Sequence, residues 1–274
     1  MSRTILAVVL AGSLAGLVGV TPALAAGDTP QPPQQKWSFS GPFGHYDRAQ
    51  LQRGFKVYRE VCGVCHGLNL LSFRNLSALG YSEAQVRQIA SEYKVQDGPN
   101  DQGEMFQRDG RPADRFPSPF PNDNAARVRY GAVPPDFSVM AKARTYERGF
   151  PWFVFDMFTQ YQEQGVDYIT ALLLGYEDKP PAGVTLPGNL QYNKYFPGHA
   201  IAMPKPMEDG RVTYDDGAPQ TLLQYSKDVS AFLMWAAEPH MEARKRIGFQ
   251  VMIFLIVFAG LLYFTKKKVW SAVH

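Results

Sequence analysis

Apart from positions 62 and 65 the chain contains no cysteine. That excludes a disulfide-stapled scaffold and the two-pair thiolate site of most structural zinc modules. No segment recurs at a fixed period, which removes solenoids and propellers. Alternation of apolar and polar residues is scarce, so a sandwich or barrel finds little support. An excess of positive charge is also missing from the body of the chain. The formal net charge is +3, but Arg3, Arg244, Lys245, Arg246, Lys266, Lys267 and Lys268 all flank two apolar runs. The residues between those runs are mildly acidic, which argues against a nucleic-acid partner and suits docking of a basic one.

The two apolar runs organise the chain. Arg3 precedes an apolar stretch from Ile5 to Val20, followed by Pro22 and the small-residue run Ala23-Leu24-Ala25-Ala26. This is the order of a secretory signal, with cleavage expected after Ala25; a retained anchor is the weaker alternative. The proline-rich AGDTPQPPQQ that follows reads as an extended, poorly ordered leader. Near the other end, Ile247 to Phe264 carries no charged residue. As a helix it would cover about 27 Å, close to the ~30 Å hydrocarbon thickness of a bilayer. Cations on both sides, with Tyr263 and Trp270 suited to the interfaces, mark it as one membrane span. Charge alone does not orient it. An exported body followed by a stop-transfer span places that body in the periplasm and His274 in the cytoplasm. The expected division is a signal peptide over 1–25, an exported domain over 26–240 and an anchor with a short tail over 241–274.

The exported body reads as mainly α, with long irregular loops. Leu51, Phe55, Tyr58 and Val61-Cys62 form one helical face behind Asp47, a candidate N-cap. Residues 82–93 predict a second helix capped by Ser82. From Val95 to Pro135 the chain is rich in Gly, Pro, Asn and Asp, with short helices expected at 124–130 and 138–143. So long an irregular stretch in a compact domain is usually functional. Residues 152–176 predict two helices split near Gly165. The last soluble helix begins near Leu222 and is interrupted by Pro239.

The two cysteines stand in EVCGVCHGLN, three apart, with His66 directly after Cys65. Zinc would need two further ligands, for which His45, His199 and His240 form no paired motif. A redox dithiol normally opens a helix in a βαβ setting, whereas this pair closes an amphipathic helix. A simple disulfide is the plain expectation in an oxidising compartment. The favoured reading is covalent haem c: C-x-x-C-H lets each thiol add to a vinyl group and the histidine ligate iron.

A sixth ligand from methionine would make the site an electron carrier and raise its potential. Met157 and Met234 lie in apolar helical patterns and read as core. Met203 sits in GHAIAMPKPME, where Pro204 and Pro206 stiffen an extended segment. Met207 competes by the same argument, and His199 would give bis-histidine ligation. Arg127 and Arg129 are candidates to compensate the propionates, since uncompensated buried charge is costly.

Five segments carry a wider resemblance: RGFKVYREVCGVCH, VQDGPNDQGEMF, FPNDNAARVRYGAVPPDFS, YFPGHAIAMPKPM, and DVSAFLMWAAEP followed by basic residues and the span. In that order they resemble the cytochrome c1 family, haem subunits of ubiquinol–cytochrome c oxidoreductase. The resemblance implies thioether attachment at Cys62 and Cys65, axial ligation by His66 and Met203, and a propionate contact from Arg127. Phe196 and the Pro134-Pro135 pair would line the haem pocket. It also implies an electron-relay subunit of the reductase with no independent catalytic chemistry, taking electrons from a Rieske iron–sulfur protein. The acceptor would be a soluble or membrane-tethered c-type cytochrome. Cytochrome b and the lipid bilayer would be neighbours, within a dimeric complex of the inner membrane. The disulfide that some bacterial relatives carry has no cysteines here. The alternative function is a membrane-tethered cytochrome with an open sixth site, acting as haem catalyst or sensor.

Overall fold

The computed structural model describes residues 30–272 apart from positions 147, 160 and 183. The candidate export signal and His274 lie outside the described residues. Asp47 starts the first helix, α1 (Arg48–Glu60), by accepting from the Ala49 and Gln50 amides at 2.9 and 3.3 Å. Those donors have no partner within a helix, so a carboxylate at this position holds the end closed. Leu51, Phe55 and Tyr58 are buried as the spacing predicts, joined by Gly54 and Val57. A 3₁₀ helix (Phe73–Leu79) leads to α2 (Glu83–Ser91), where Ser82 and Gln85 form a reciprocal capping box.

The irregular middle contains more order than its composition predicts. An antiparallel hairpin pairs β1 (Lys94–Asp97) with β2 (Phe106–Asp109), Lys94 opposite Asp109. Four-residue strands around a turn are too short to raise a period-two signal. Two expected short helices follow, α3 (Asp123–Tyr130) and α4 (Met140–Ala143). Next come α5 (Trp152–Thr159) and α6 (Gln164–Leu174). The break falls ahead of Gly165 rather than at it. Gly165 lies in the first turn of α6, where a Cβ would stand 1.9 Å from the Ala141 carbonyl oxygen. The glycine therefore permits close approach to α4 and does not end a helix.

A second small sheet pairs β3 (Gln191–Tyr192) with β4 (Ala200–Ile201). It is followed by α7 (Leu222–Ala237) and α8 (Met241–Val269), with Pro239 between them as expected. The core forms where α1 crosses α7, on which α4 and α6 also pack. The Phe55 and Phe232 rings lie 5.5 Å apart and Tyr58 and Phe232 5.8 Å apart. Each such side chain contributes roughly 1.5–3 kcal/mol when fully buried. Asp228 on α7 is sealed from solvent, but its carboxylate accepts from Arg53 Nε, Tyr214 Oη and Gln224 Nε2, each at 2.9 Å. These donors offset the cost of burying the charge, so losing any one of them would leave it partly uncompensated.

Three expectations change. The leader is extended, but from residue 30 it is docked: Pro32 is buried and the Gln35 amide donates to Asp167 Oδ1 at 2.9 Å. Met157 is 75% exposed, because α5 buries none of its residues, whereas Met234 is core as predicted. The region 159–170, to which the sequence assigns no role, holds the leader: fully buried Asp167 accepts from Trp37 Nε1 at 2.8 Å and from the Tyr161 hydroxyl. Beyond the body, α8 buries only Met241. Its most apolar eighteen-residue window has a mean hydropathy of 2.4 and no buried residue, so it is long and apolar enough to cross a bilayer.

Candidate functional site

The helix α1 ends where the cysteine pair begins. Cys62–Val64 tighten into a 3₁₀ turn, and the Cys65 and His66 amides both donate to the Cys62 carbonyl, at 3.0 and 2.9 Å. Both thiols are free and half-buried. Burial, with Cys65 nearby, pushes the Cys62 thiol up to about 12. That favours the neutral thiol, the opposite of what a thiol–disulfide exchanger requires. Among the described residues no three His, Cys, Asp or Glu side chains converge as a metal cluster. The cysteine pair therefore lacks the further ligands of a structural zinc site.

His66 is buried and fixed from three sides. Its Nδ1 lies 2.8 Å from the Pro135 carbonyl oxygen. A carbonyl only accepts, so Nδ1 carries the proton and Nε2 presents the lone pair. The ring stacks on Phe137 at 4.0 Å and 16°. The Tyr58 hydroxyl, which burial keeps protonated, donates to the His66 carbonyl at 2.9 Å. Burial also holds the imidazole below its usual range, a shift the Pro135 carbonyl partly offsets, so the neutral ring is favoured.

The segment 135–138 clamps onto 66–70 along its length. Phe137 N donates to Gly67 O and Asn69 N to Asp136 Oδ2, both at 2.8 Å, and Leu70 N donates to Ser138 Oγ at 3.0 Å. Gly67 has no room for more: a Cβ would stand 2.9 Å from Asp136 Oδ2. Pro135 thus acts through its carbonyl, and its ring is exposed; Pro134 is half-buried. Sequence reasoning missed Asp136, Phe137, Ser138 and Tyr58 as site residues. The only signal was their place in quoted motifs, because pairing across 69 residues leaves no local pattern.

The other candidates stand on separate supports. The half-buried Met203 is held by the Tyr176 hydroxyl, which donates to its carbonyl at 3.0 Å. Buried Asn193 ties the preceding loop to α6 through Leu172 O at 2.7 Å, and its Oδ1 accepts from Phe196 N at 3.2 Å. Phe196 is half-buried. Met207 is instead fully buried in the main apolar core, which assigns it to packing. His199 turns its Nδ1 to Asn193 O at 3.2 Å and stacks on Tyr192. Arg127 is exposed on α3, with no ion pair or side-chain hydrogen bond among the described residues, while Arg129 lies over the Tyr130 ring. No hydrogen bond among the described residues joins Met203, Phe196 or Arg127 to the His66 cluster. These residues fit a covalently held haem: two free thiols on one turn, and an oriented neutral imidazole with one lone pair to give.

Known proteins agree with this chemistry. A cytochrome b/c1 of Bradyrhizobium diazoefficiens is 64% identical over 273 residues, covering 98% of this chain but 40% of that protein. A cytochrome c1 of Blastochloris viridis is 57% identical over 258 residues, 92% of this chain and 90% of its own. A mitochondrial cytochrome c1 heme protein of Solanum tuberosum is 42% identical over 267 residues, 96% of this chain and 95% of its own. With residues 37–273 matching the Cytochrome C1 family, the chain belongs to that family.

Proposed function

We propose that this chain is the haem c subunit of a ubiquinol–cytochrome c oxidoreductase, relaying single electrons from a Rieske iron–sulfur protein to a soluble or membrane-tethered c-type cytochrome. Cys62 and Cys65 would hold one haem through thioether bonds, and His66 and Met203 would ligate its iron. The haem, when bound, supplies reversible one-electron iron chemistry. The observation that carries the reading is the 2.8 Å contact from His66 Nδ1 to Pro135 O, which leaves the Nε2 lone pair free for a metal directly after C-x-x-C.

The protein's own contribution is rigidity. The clamp from 135–138 fixes the imidazole, and stacking on Phe137 sets its plane. Elsewhere, Pro204 and Pro206 restrict the Met203 loop while Tyr176 anchors its backbone. Held in this way, the ligands need little rearrangement when charge arrives or leaves. Arg127, which pairs with no carboxylate among the described residues, would be available to a propionate, and Phe196, Pro134 and Pro135 would border the haem. With α8 as a single-pass span beside cytochrome b, the haem domain faces the periplasm of the inner membrane and the C-terminus the cytoplasm. The complex is expected to be dimeric.

Redox titration of Met203→Leu tests the ligand set. The variant should retain covalent haem and show a sharply lower midpoint potential. An unchanged potential would remove Met203 as ligand. Rapid carbon monoxide binding by the reduced parent protein would instead favour the open-site catalyst or sensor.

A further inference from the structure

The segment GFPWFVFDMF, residues 149–158, presents an aromatic face to solvent. Phe150 and Phe158 are each 82% exposed, and Trp152, Phe153, Phe155 and Met157 are exposed as well. The segment's one charged residue, Asp156, turns inward to pair with Arg148, whose guanidinium lies over the Trp152 and Tyr161 rings at 5.3 and 4.7 Å. The outward face therefore has no charge. So large an apolar surface marks an interaction site.

Its position identifies the occupant. The excursion closes at its base where Tyr146 and Tyr161 join hydroxyls at 2.9 Å. Next to that base, Gln162 Oε1 accepts from Lys142 Nζ at 3.2 Å. Lys142 in turn pairs with Glu238 at 2.7 Å, and Glu238 also pairs with Arg244. Arg244 stands three residues before Ile247, where the charge-free run of α8 begins, about 4.5 Å along the helix axis. A second exposed aromatic lies at the same end: Phe43 meets the edge of Phe249, inside that run, at 5.7 Å. The base of the aromatic segment is thus tied by hydrogen bonds and ion pairs to the start of α8, where the anchor emerges. Trp and Phe beside a cationic rim are the chemistry of the headgroup–acyl boundary.

We propose that residues 150–158, together with Phe43, form an interfacial foot that lies in the same phospholipid leaflet that α8 enters. The foot rests on the reading of α8 as a span. It fixes the height and tilt of the exported body, which a single helix joined through Pro239 leaves free to swing.

Photo-crosslinking of the full chain in its native membrane tests the proposal. A diazirine analogue replaces Phe158, and in parallel chains Phe254 of α8 or Val128 of α3. Phospholipid adducts are expected at 158 and 254, about tenfold above those at 128, whose side chain is exposed on a different helix. Lipid at 254 without lipid at 158 overturns the foot alone. So does a polypeptide adduct at 158, which would make the face a subunit interface. No lipid at either position overturns both the span and the foot.

Discussion

At the scale of single residues, His66 depends on a backbone carbonyl 69 positions away. The contact survives only while residues 135–138 stay seated on 66–70. Asp136 both seats and shapes that segment: it accepts from Asn69 N across the contact and from Ser138 N within its own turn, at 2.8 Å each. Bonds to a carboxylate are stronger than neutral ones, so Asp136→Ala should lower unfolding free energy by roughly 1–3 kcal/mol. Guanidinium denaturation checks this, and an unchanged midpoint would show that Ser138 and the backbone suffice. Cys62, Cys65 and His66 were legible as a unit because their chemistry is local. Local chemistry left Met207 a competitor of Met203, since Pro204 and Pro206 adjoin both; the family resemblance favoured Met203, and burial assigns Met207 to packing.

At the scale of elements, the crossing of α1 and α7 sets where the cysteine turn is delivered. Gly54 is the point of closest approach: a Cβ there would lie 2.0 Å from Asp228 O and 2.7 Å from Phe232 Cβ. Neither atom is a flexible tip, so Gly54→Ala must push the helices apart. The expected loss is about 3 kcal/mol or more, read as a lowered denaturation midpoint with covalent haem content reduced in parallel. A variant of parental stability would mean that the two helices slide without cost. Helices with one apolar face were readable from spacing, as α1 and α2 illustrate. Helix α5 was readable as a helix, but Met157 on it was misread as core, because continuous hydrophobicity does not say which surface covers it.

At the scale of the whole molecule, stability should peak in mild acid, between two opposing titrations. Arg108 holds the Asp114 carboxyl down to about 2, below its unfolded value near 4. That contribution is present above about pH 4 and is lost as pH falls toward 2. Burial raises Glu163 and Asp167 instead, so what their protonated forms contribute is lost as pH rises through their folded values. Urea midpoints across pH separate the two. Asp114→Asn should trail the parent above about pH 4 and converge with it near 2, while Glu163→Gln should gain on the parent as pH rises from about 4. Parallel curves for all three proteins would remove both groups from the acid response.

The amino-acid order alone determined the haem motif, the apolar run of α8 and the N-capped starts of α1 and α2. Each is set by interactions within one turn, or by composition over one stretch of chain. Tertiary structure decided what depends on distant partners: Pro135 as the orienting carbonyl, Met207 as core, Asp167 as the tie for the leader, and the exposure of α5. In these cases the chemistry of a side chain is fixed by which surface the fold brings against it.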